Sequence, residues 1–289
     1  MKKGSAKVRM VSYSIVAIIL TVILVLGIVS GPVWTGLSCG GINIGGYYYK
    51  DADKYSVGEF TLDEDVSSIN VDWVAGNVKF VITDKDKLYV EETDVEDEED
   101  ELRYRVVKGT LMIKYRKAKR FSYGNDVKKD LTIYVPEEMA KKLSVVEVQS
   151  VSAGVDIEDC YITKLNVETV SGQVNAENVI LGSVDVESVS AKVSISGEVD
   201  KINAESVSGK INITSSKQLS SIDMESVSGD ITVSMPEGDG FTAEMESVSG
   251  DLNVEFEVTT KEDKRICGDG SAKYSFETVS GDASLKKID

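Results

Sequence analysis

Carboxylates dominate the chemistry this chain could perform, and six of them recur at one place in a repeated motif: Glu168, Glu187, Glu205, Glu225, Glu246 and Glu277. Asp230, Asp251 and Asp282 each follow the glycine of the same motif. If the copies stack as neighbouring strands, about 4.8 Å apart, such carboxylates repel by roughly 1 to 3 kcal/mol per pair at effective dielectric constants of about 80 to 20. A divalent cation or a cationic peptide would relieve that repulsion, so capture of calcium or of a cationic peptide by this ladder is one reading. An ordinary solvated face is the other. Lys192 and Lys210 stand in the aspartate column of other copies, which suits charge neutralisation better than a calcium cage of 6–8 oxygens.

Other chemistries are poorly supplied. The chain has no histidine, which removes His-dependent triads, imidazole-ligated metals and His general bases together. Cys39, Cys160 and Cys267 are too few and too scattered for a disulfide framework, and no CxxC occurs. A pair of carboxylates could in principle hydrolyse a glycan. A catalytic site is normally a singular departure from a repeat, however, and none is visible beyond the loops. The expectation is a protein that is not an enzyme, with no catalytic residue and no cofactor.

The elements that would position these carboxylates are read from the repeat itself. One decapeptide runs VEVQSVSAGV from Val146, LNVETVSGQV from Leu165, VDVESVSAKV from Val184, INAESVSGKI from Ile202, IDMESVSGDI from Ile222, AEMESVSGDL from Ala243 and YSFETVSGDA from Tyr274. A degenerate copy, INVDWVAGNVKF, starts at Ile69. The second serines of the motif are spaced by 19, 19, 18, 20, 21 and 31 residues. Such a period predicts stacked coils, an all-β, single-stranded β-solenoid resembling a parallel β-helix, with coils of about 19–20 residues. Val184, Val186 and Ser188 share one parity, whereas Val189, Ala191, Val193 and Ile195 share the other. A one-residue slip would turn every later side chain to the wrong face unless the chain bends, so a corner is expected at Ser-Val. Gly172, Gly209, Gly229, Gly250 and Gly281 would permit close backbone approach there. Thr169, Ser188, Ser206, Ser226, Ser247 and Thr278 would form a hydroxyl ladder, each donating to one neighbour and accepting from the other.

The ends of the chain differ from this body. Lys2, Lys3, Lys7 and Arg9 precede Val11 to Val29, a run of 19 residues without a charge, long enough to span a bilayer. The positive flank stays inside, and Trp34 and Tyr47 to Tyr49 suit the interface or a short tether. The competing reading is a cleavable signal peptide. The preferred organisation is a cytoplasmic N-terminus over 1–10, a transmembrane signal anchor over 11–33, a tether over 34–59, an irregular β part over 60–145 and the regular solenoid over 146–289. The body then faces outward from the cytoplasmic membrane as a single-pass protein. Residues 1–50 hold five Lys/Arg and no acid, leaving 27 basic against 49 acidic residues and a net charge of -22. Such a body repels nucleic acid, and a cell-surface protein, a glycan or a cationic peptide is the expected partner. Within the irregular part, Lys108-Gly109 predicts a hairpin turn, while Glu91 to Glu101 and Lys114 to Arg120 read as solvated loops or strand edges. Thr259 to Ser271 reads as an inserted loop.

The basic-flanked N-terminal helix, the DW-x-x-G-x-V segment at Asp72 to Val78 and the tandem Glu-Ser/Thr-Val-Ser-Gly copies resemble a bacterial family. It is the family of putative-adhesin β-solenoid domains of unknown function, including LiaG-like proteins associated with envelope-stress operons. The resemblance covers roughly residues 60–285. It implies a cell-surface location and a non-catalytic role, and it brings no catalytic or binding residue with it.

Overall fold

The computed structural model describes residues 44–123 and 128–288. The expected membrane span and Cys39 lie outside these residues, and among the described residues no helix is long and apolar enough to cross a membrane.

Each repeat folds as two strands because its apolar positions change parity once. Val184 and Val186 are buried on one side of the corner, and Ala191, Val193 and Ile195 on the other, with Val189 and Ser190 turned outward between them. Every such Val or Ile contributes about 1.5–3 kcal/mol by leaving water. Stacking the coils therefore builds two parallel ladders, or walls, that share one apolar core. The first wall runs, in spatial order, through Thr110–Lys114, Ser68–Trp73, Leu143–Ser150, Tyr161–Thr169, residues 183–188, residues 199–206, Ser221–Ser226, Ala272–Thr278 and Gly240–Ser247. The second runs through Leu131–Pro136, Asn77–Thr83, Gly154–Glu158, residues 174–177, residues 193–197, Ile211–Ser215, Ile231–Met235, Ala283–Lys287 and Leu252–Val254.

The chain bends where the parity changes, and the motif glycines lie at that corner against the backbone of the neighbouring coil. A Cβ on Gly209 would sit 1.8 Å from the Ala191 carbonyl oxygen, and one on Gly229 would sit 1.7 Å from that of Gly209. Gly172, Gly250 and Gly281 are equally crowded by the neighbouring coil. A second corner, not anticipated from the repeat, returns the chain to the first wall at Asp159, Asn178 and Gly197, all with positive φ. Asp, Asn and Gly are the residues that tolerate this conformation, and their 19-residue spacing was a readable signal.

The hydroxyl ladder needs correction. The first hydroxyl of the motif points into the core and mainly caps its own corner: Gly172 N–H donates to Thr169 Oγ1 at 2.9 Å, Gly209 N–H to Ser206 Oγ at 3.1 Å and Gly229 N–H to Ser226 Oγ at 2.9 Å, with Gly250 to Ser247 alike. Two coil-to-coil bonds of the expected kind are present, Ser150 to Thr169 at 2.9 Å and Ser188 to Ser206 at 3.0 Å. The regular bonding between coils belongs instead to the second serine. Ser190 N–H and Oγ both donate to the Val170 carbonyl, at 2.9 and 3.3 Å, and Ser208 does the same to Val189.

Coil order also departs from chain order at both ends. The last repeat, Ala272–Thr278, is inserted between Ser221–Ser226 and Gly240–Ser247. Thr259 to Ser271 is therefore no plain loop: Thr259–Lys261 and Lys264–Gly268 form a hairpin lying antiparallel along Gly240–Ser247, and its charged residues cover the end of the wall. At the other end Ser68–Trp73 sits between Thr110–Lys114 and Leu143–Ser150, and Arg103–Val107 folds back antiparallel over Thr110–Lys114 through the expected Lys108-Gly109 turn.

Two further expectations change here. Part of the segment read as a tether is built into the body: Ile44–Tyr47 pairs with Lys119–Tyr123, Tyr47 and Tyr49 are buried, and the Tyr49 hydroxyl donates to the Arg116 carbonyl at 3.1 Å. The acidic run is not simply solvated either. Glu92 meets the fully buried Lys129 at 2.6 Å, Asp100 meets Arg116 at 3.6 Å, and Glu99 meets Lys117 at 3.3 Å. The two charged stretches clasp each other because opposite charges at close range offset the cost of their burial.

Candidate functional site

Strand register places the repeat glutamates in one outward column on the first wall. In spatial order it reads Lys114, Asp72, Gln149, Glu168, Glu187, Glu205, Glu225, Glu277 and Glu246. Two residues back along each strand runs a parallel column that includes Glu147, Asn166, Asp185, Asn203, Asp223 and Glu244. The β period of two sends both columns to the same face. The predicted glutamate ladder is thus brought together, except that Glu277 stands between Glu225 and Glu246.

Amides separate some of the carboxylates. Asn203 Nδ2 donates to Asp185 at 3.0 Å, Asn70 Nδ2 to Glu147 at 3.0 Å, and Gln149 Nε2 to Glu147 at 3.1 Å and Glu168 at 3.3 Å. Cations close the face at its ends: Lys114 meets Asp72 at 3.2 Å, and Lys264 meets Glu244 at 2.7 Å. Between them the glutamates face one another. Partial burial, followed by the charges of Glu187 and Glu147, pushes Glu168 up to about 7. Partial burial, followed by Glu187 and Glu225, pushes Glu205 up to about 7. Glu187, Glu225 and Glu277 are raised too, first by burial and then by Asp185, by Glu277 and by Glu246 respectively. The buried oxygens Glu187 Oε2 and Asn166 Oδ1 accept no hydrogen bond.

Asp230, Asp251 and Asp282 do not join this face. They lie beyond the corner, where Asp230 pairs with Lys210 at 3.2 Å and Asp282 accepts from the Asp251 N–H at 2.9 Å. Among the described residues, no group of three or more His, Cys, Asp or Glu side chains converges to hold a metal ion. Cys160 and Cys267 are buried and unbridged, and burial pushes the Cys160 thiol up to about 12, away from nucleophilic use.

The second wall presents a different outward surface from the same coils. Ser194, Asn212 and Thr232 form one column, and Ser196, Thr214 and Ser234 the next. What the molecule offers chemically is thus one face rich in carboxylates whose ionisation is opposed by burial and by one another, able to accept protons or cationic donors, and a second wall whose central coils present neutral hydroxyls and an amide.

Among the solved structures similar to this chain are three from bacteria. A putative adhesin from Bacteroides fragilis aligns at 17% identity and TM-score 0.49, covering 80% of this chain and 97% of that one. A putative cell adhesion protein from Clostridium sporogenes aligns at 15% and 0.39, covering 81% and 100%. A putative lipid binding protein from Parabacteroides distasonis aligns at 14% and 0.26, covering 81% and 97%. No curated protein matches. The pattern of one family matches residues 66–286, which span the coils and both capped ends, and on that match the chain belongs to the Toastrack DUF4097 family.

Proposed function

We propose that this protein is a non-catalytic surface-interaction module, held to the outside of the cytoplasmic membrane by residues 11–33, whose acidic wall meets a cationic partner. The observation that carries this reading is the unbroken column Glu168, Glu187, Glu205, Glu225, Glu277 and Glu246, set on a stacked sheet with cations only at its ends. A rigid ladder keeps its charges in place before binding, so little ordering entropy is spent when a partner arrives. A linear cationic peptide suits it better than a calcium ion, because the carboxylates run along a line instead of enclosing a point.

The test is a binding measurement with the full-length chain in vesicles of uncharged lipid, using immobilised decalysine and dextran as cationic and neutral probes. Decalysine binding that weakens with salt and disappears in Glu187→Lys/Glu205→Lys supports the reading. Equal binding by that variant, or binding to dextran alone, overturns the acidic wall as the recognition face. A melting temperature raised by calcium but not magnesium, at matched ionic strength, would favour ion capture instead.

A further inference from the structure

The acidic wall combines two facts that ordinary solvated carboxylates do not share. Its glutamates are stacked in register on adjacent strands, and each is half-buried by its neighbours. Glu187 is the sharpest case: it stands between Glu168 and Glu205, and its Oε2 is buried with no donor. An ionised oxygen in that position forfeits its hydration without replacement. A proton held by an adjacent carboxyl supplies the missing O–H donor and removes one of two facing charges, as in any pair of carboxylates sharing a site.

We propose that the wall is a proton-storing ladder, in which neighbouring glutamates of the folded protein share protons and the face gains or loses negative charge across the near-neutral range. The groups that face the column are themselves acidic or neutral. Asp185 lies beside Glu187 and Glu205, Asp223 beside Glu205, Glu225 and Glu277, and Glu147 beside Glu168, while Asn166, Asn203 and Ser275 fill the remaining places. The lysines on the same strands, Lys164, Lys201 and Lys273, stand four residues from their glutamates, about 13 Å along the strand. Burial and the neighbouring carboxylates raise Glu168 and Glu205 to about 7. A cationic partner would then expel protons as it binds, and acidification would release it. That use rests on the proposed recognition role; the protonation itself does not, and it is measured with no partner present.

The experiment follows the glutamate side-chain carboxyl carbons of the purified full-length chain by NMR from about pH 4 to pH 9, with Glu205→Gln to assign one resonance. Midpoints near 7 for Glu168 and Glu205, coupled so that the variant lowers that of its neighbours, are expected. Titration of the whole column below about pH 5, in the ordinary range, overturns the proposal. Urea unfolding gives a second readout. Because these carboxyls bind protons more tightly when folded, their contribution is fully present below the unfolded value of 4.5 and is lost as pH rises through about 7. From about pH 5 to pH 8 the wild type should lose roughly tenfold more in folding equilibrium constant than Glu205→Gln, a figure discounted for solvent exposure. A control change at the exposed Glu255, Glu255→Gln, should leave the pH dependence as it is; identical profiles for Glu205→Gln and wild type also overturn the proposal.

Discussion

Buried carboxylates meet two different fates in this molecule. At the end nearest the N-terminus, Glu92 faces the ammonium of Lys129 at 2.6 Å and Asp72 faces that of Lys114 at 3.2 Å. Lys129 also lies over the rings of Trp73 and Tyr115, at 4.8 and 4.7 Å from their centroids. Along the middle of the first wall, comparable half-buried carboxylates face only amides and one another. The end spends its charges on holding irregular strands together, whereas the repeated middle already holds together through its backbone ladders and apolar core. There, among the described residues, no ion pair reaches the column of carboxylates from Glu168 to Glu277. Burial alone raises carboxylate protonation in both places; what differs is the presence of a cation to oppose it.

Removing the cation from the end should have the largest effect. Lys129→Met leaves Glu92 buried without its partner, and the expected cost is about 3–5 kcal/mol, read from urea denaturation near neutral pH. A loss below about 1 kcal/mol would mean that the buried Glu92–Lys129 pair is incidental to stability.

Removing a charge from the middle should act in the opposite direction. Glu187→Gln replaces a facing carboxylate by an amide able to donate, the arrangement Gln149 already makes with Glu168. A gain of about 0.5–1 kcal/mol is expected at pH near 8, shrinking toward zero near pH 5 as burial and the neighbouring carboxylates favour the protonated form of the wild-type residue. Destabilisation at both pH values would show that Glu187 is held by contacts of its own.

The smallest effect should come from the opposite wall. Thr214→Glu places a lone carboxylate between Ser196 and Ser234 on the same stacked backbone. Stability should change by no more than about 0.5 kcal/mol, and the new carboxyl should titrate near the ordinary value of about 4.3. A midpoint near that of Glu205 would assign the shift to the solenoid backbone instead of to stacked neighbours.

Legibility from sequence followed periodicity. The parity change at Ser188-Val189, the alignment of Glu168 with Glu187 and Glu205, and the crowding at Gly209 and Gly229 were all readable, because each repeats at a spacing that backbone geometry converts directly into position. The hydroxyls were misread for the complementary reason. Their inward face followed from the parity that Ser188 shares with Val184 and Val186, but whether a hydroxyl bonds the next coil or the amide of its own corner depends on how the chain bends there. The Asp159, Asn178 and Gly197 corner carried a periodic signal that the more repetitive motif obscured.

The amino-acid sequence by itself determined the parallel in-register stacking, the two-faced coil and the acidic column, since a period of about 19 residues with alternating apolar positions has few other ways to bury its valines and pair its backbone. Tertiary structure alone decided which coils are neighbours at the ends. The insertion of Ala272–Thr278 beneath Gly240–Ser247, and of Ser68–Trp73 beneath Thr110–Lys114, depends on strands that fold back to cover the outermost edges. It also decided which carboxylates find a cation. Glu92 and Lys129 are 37 residues apart, so the fold and not local spacing brings them into hydrogen-bonding contact. The charge state of the wall comes from the same level, because protonation depends on burial and on neighbours that meet only when the coils stack.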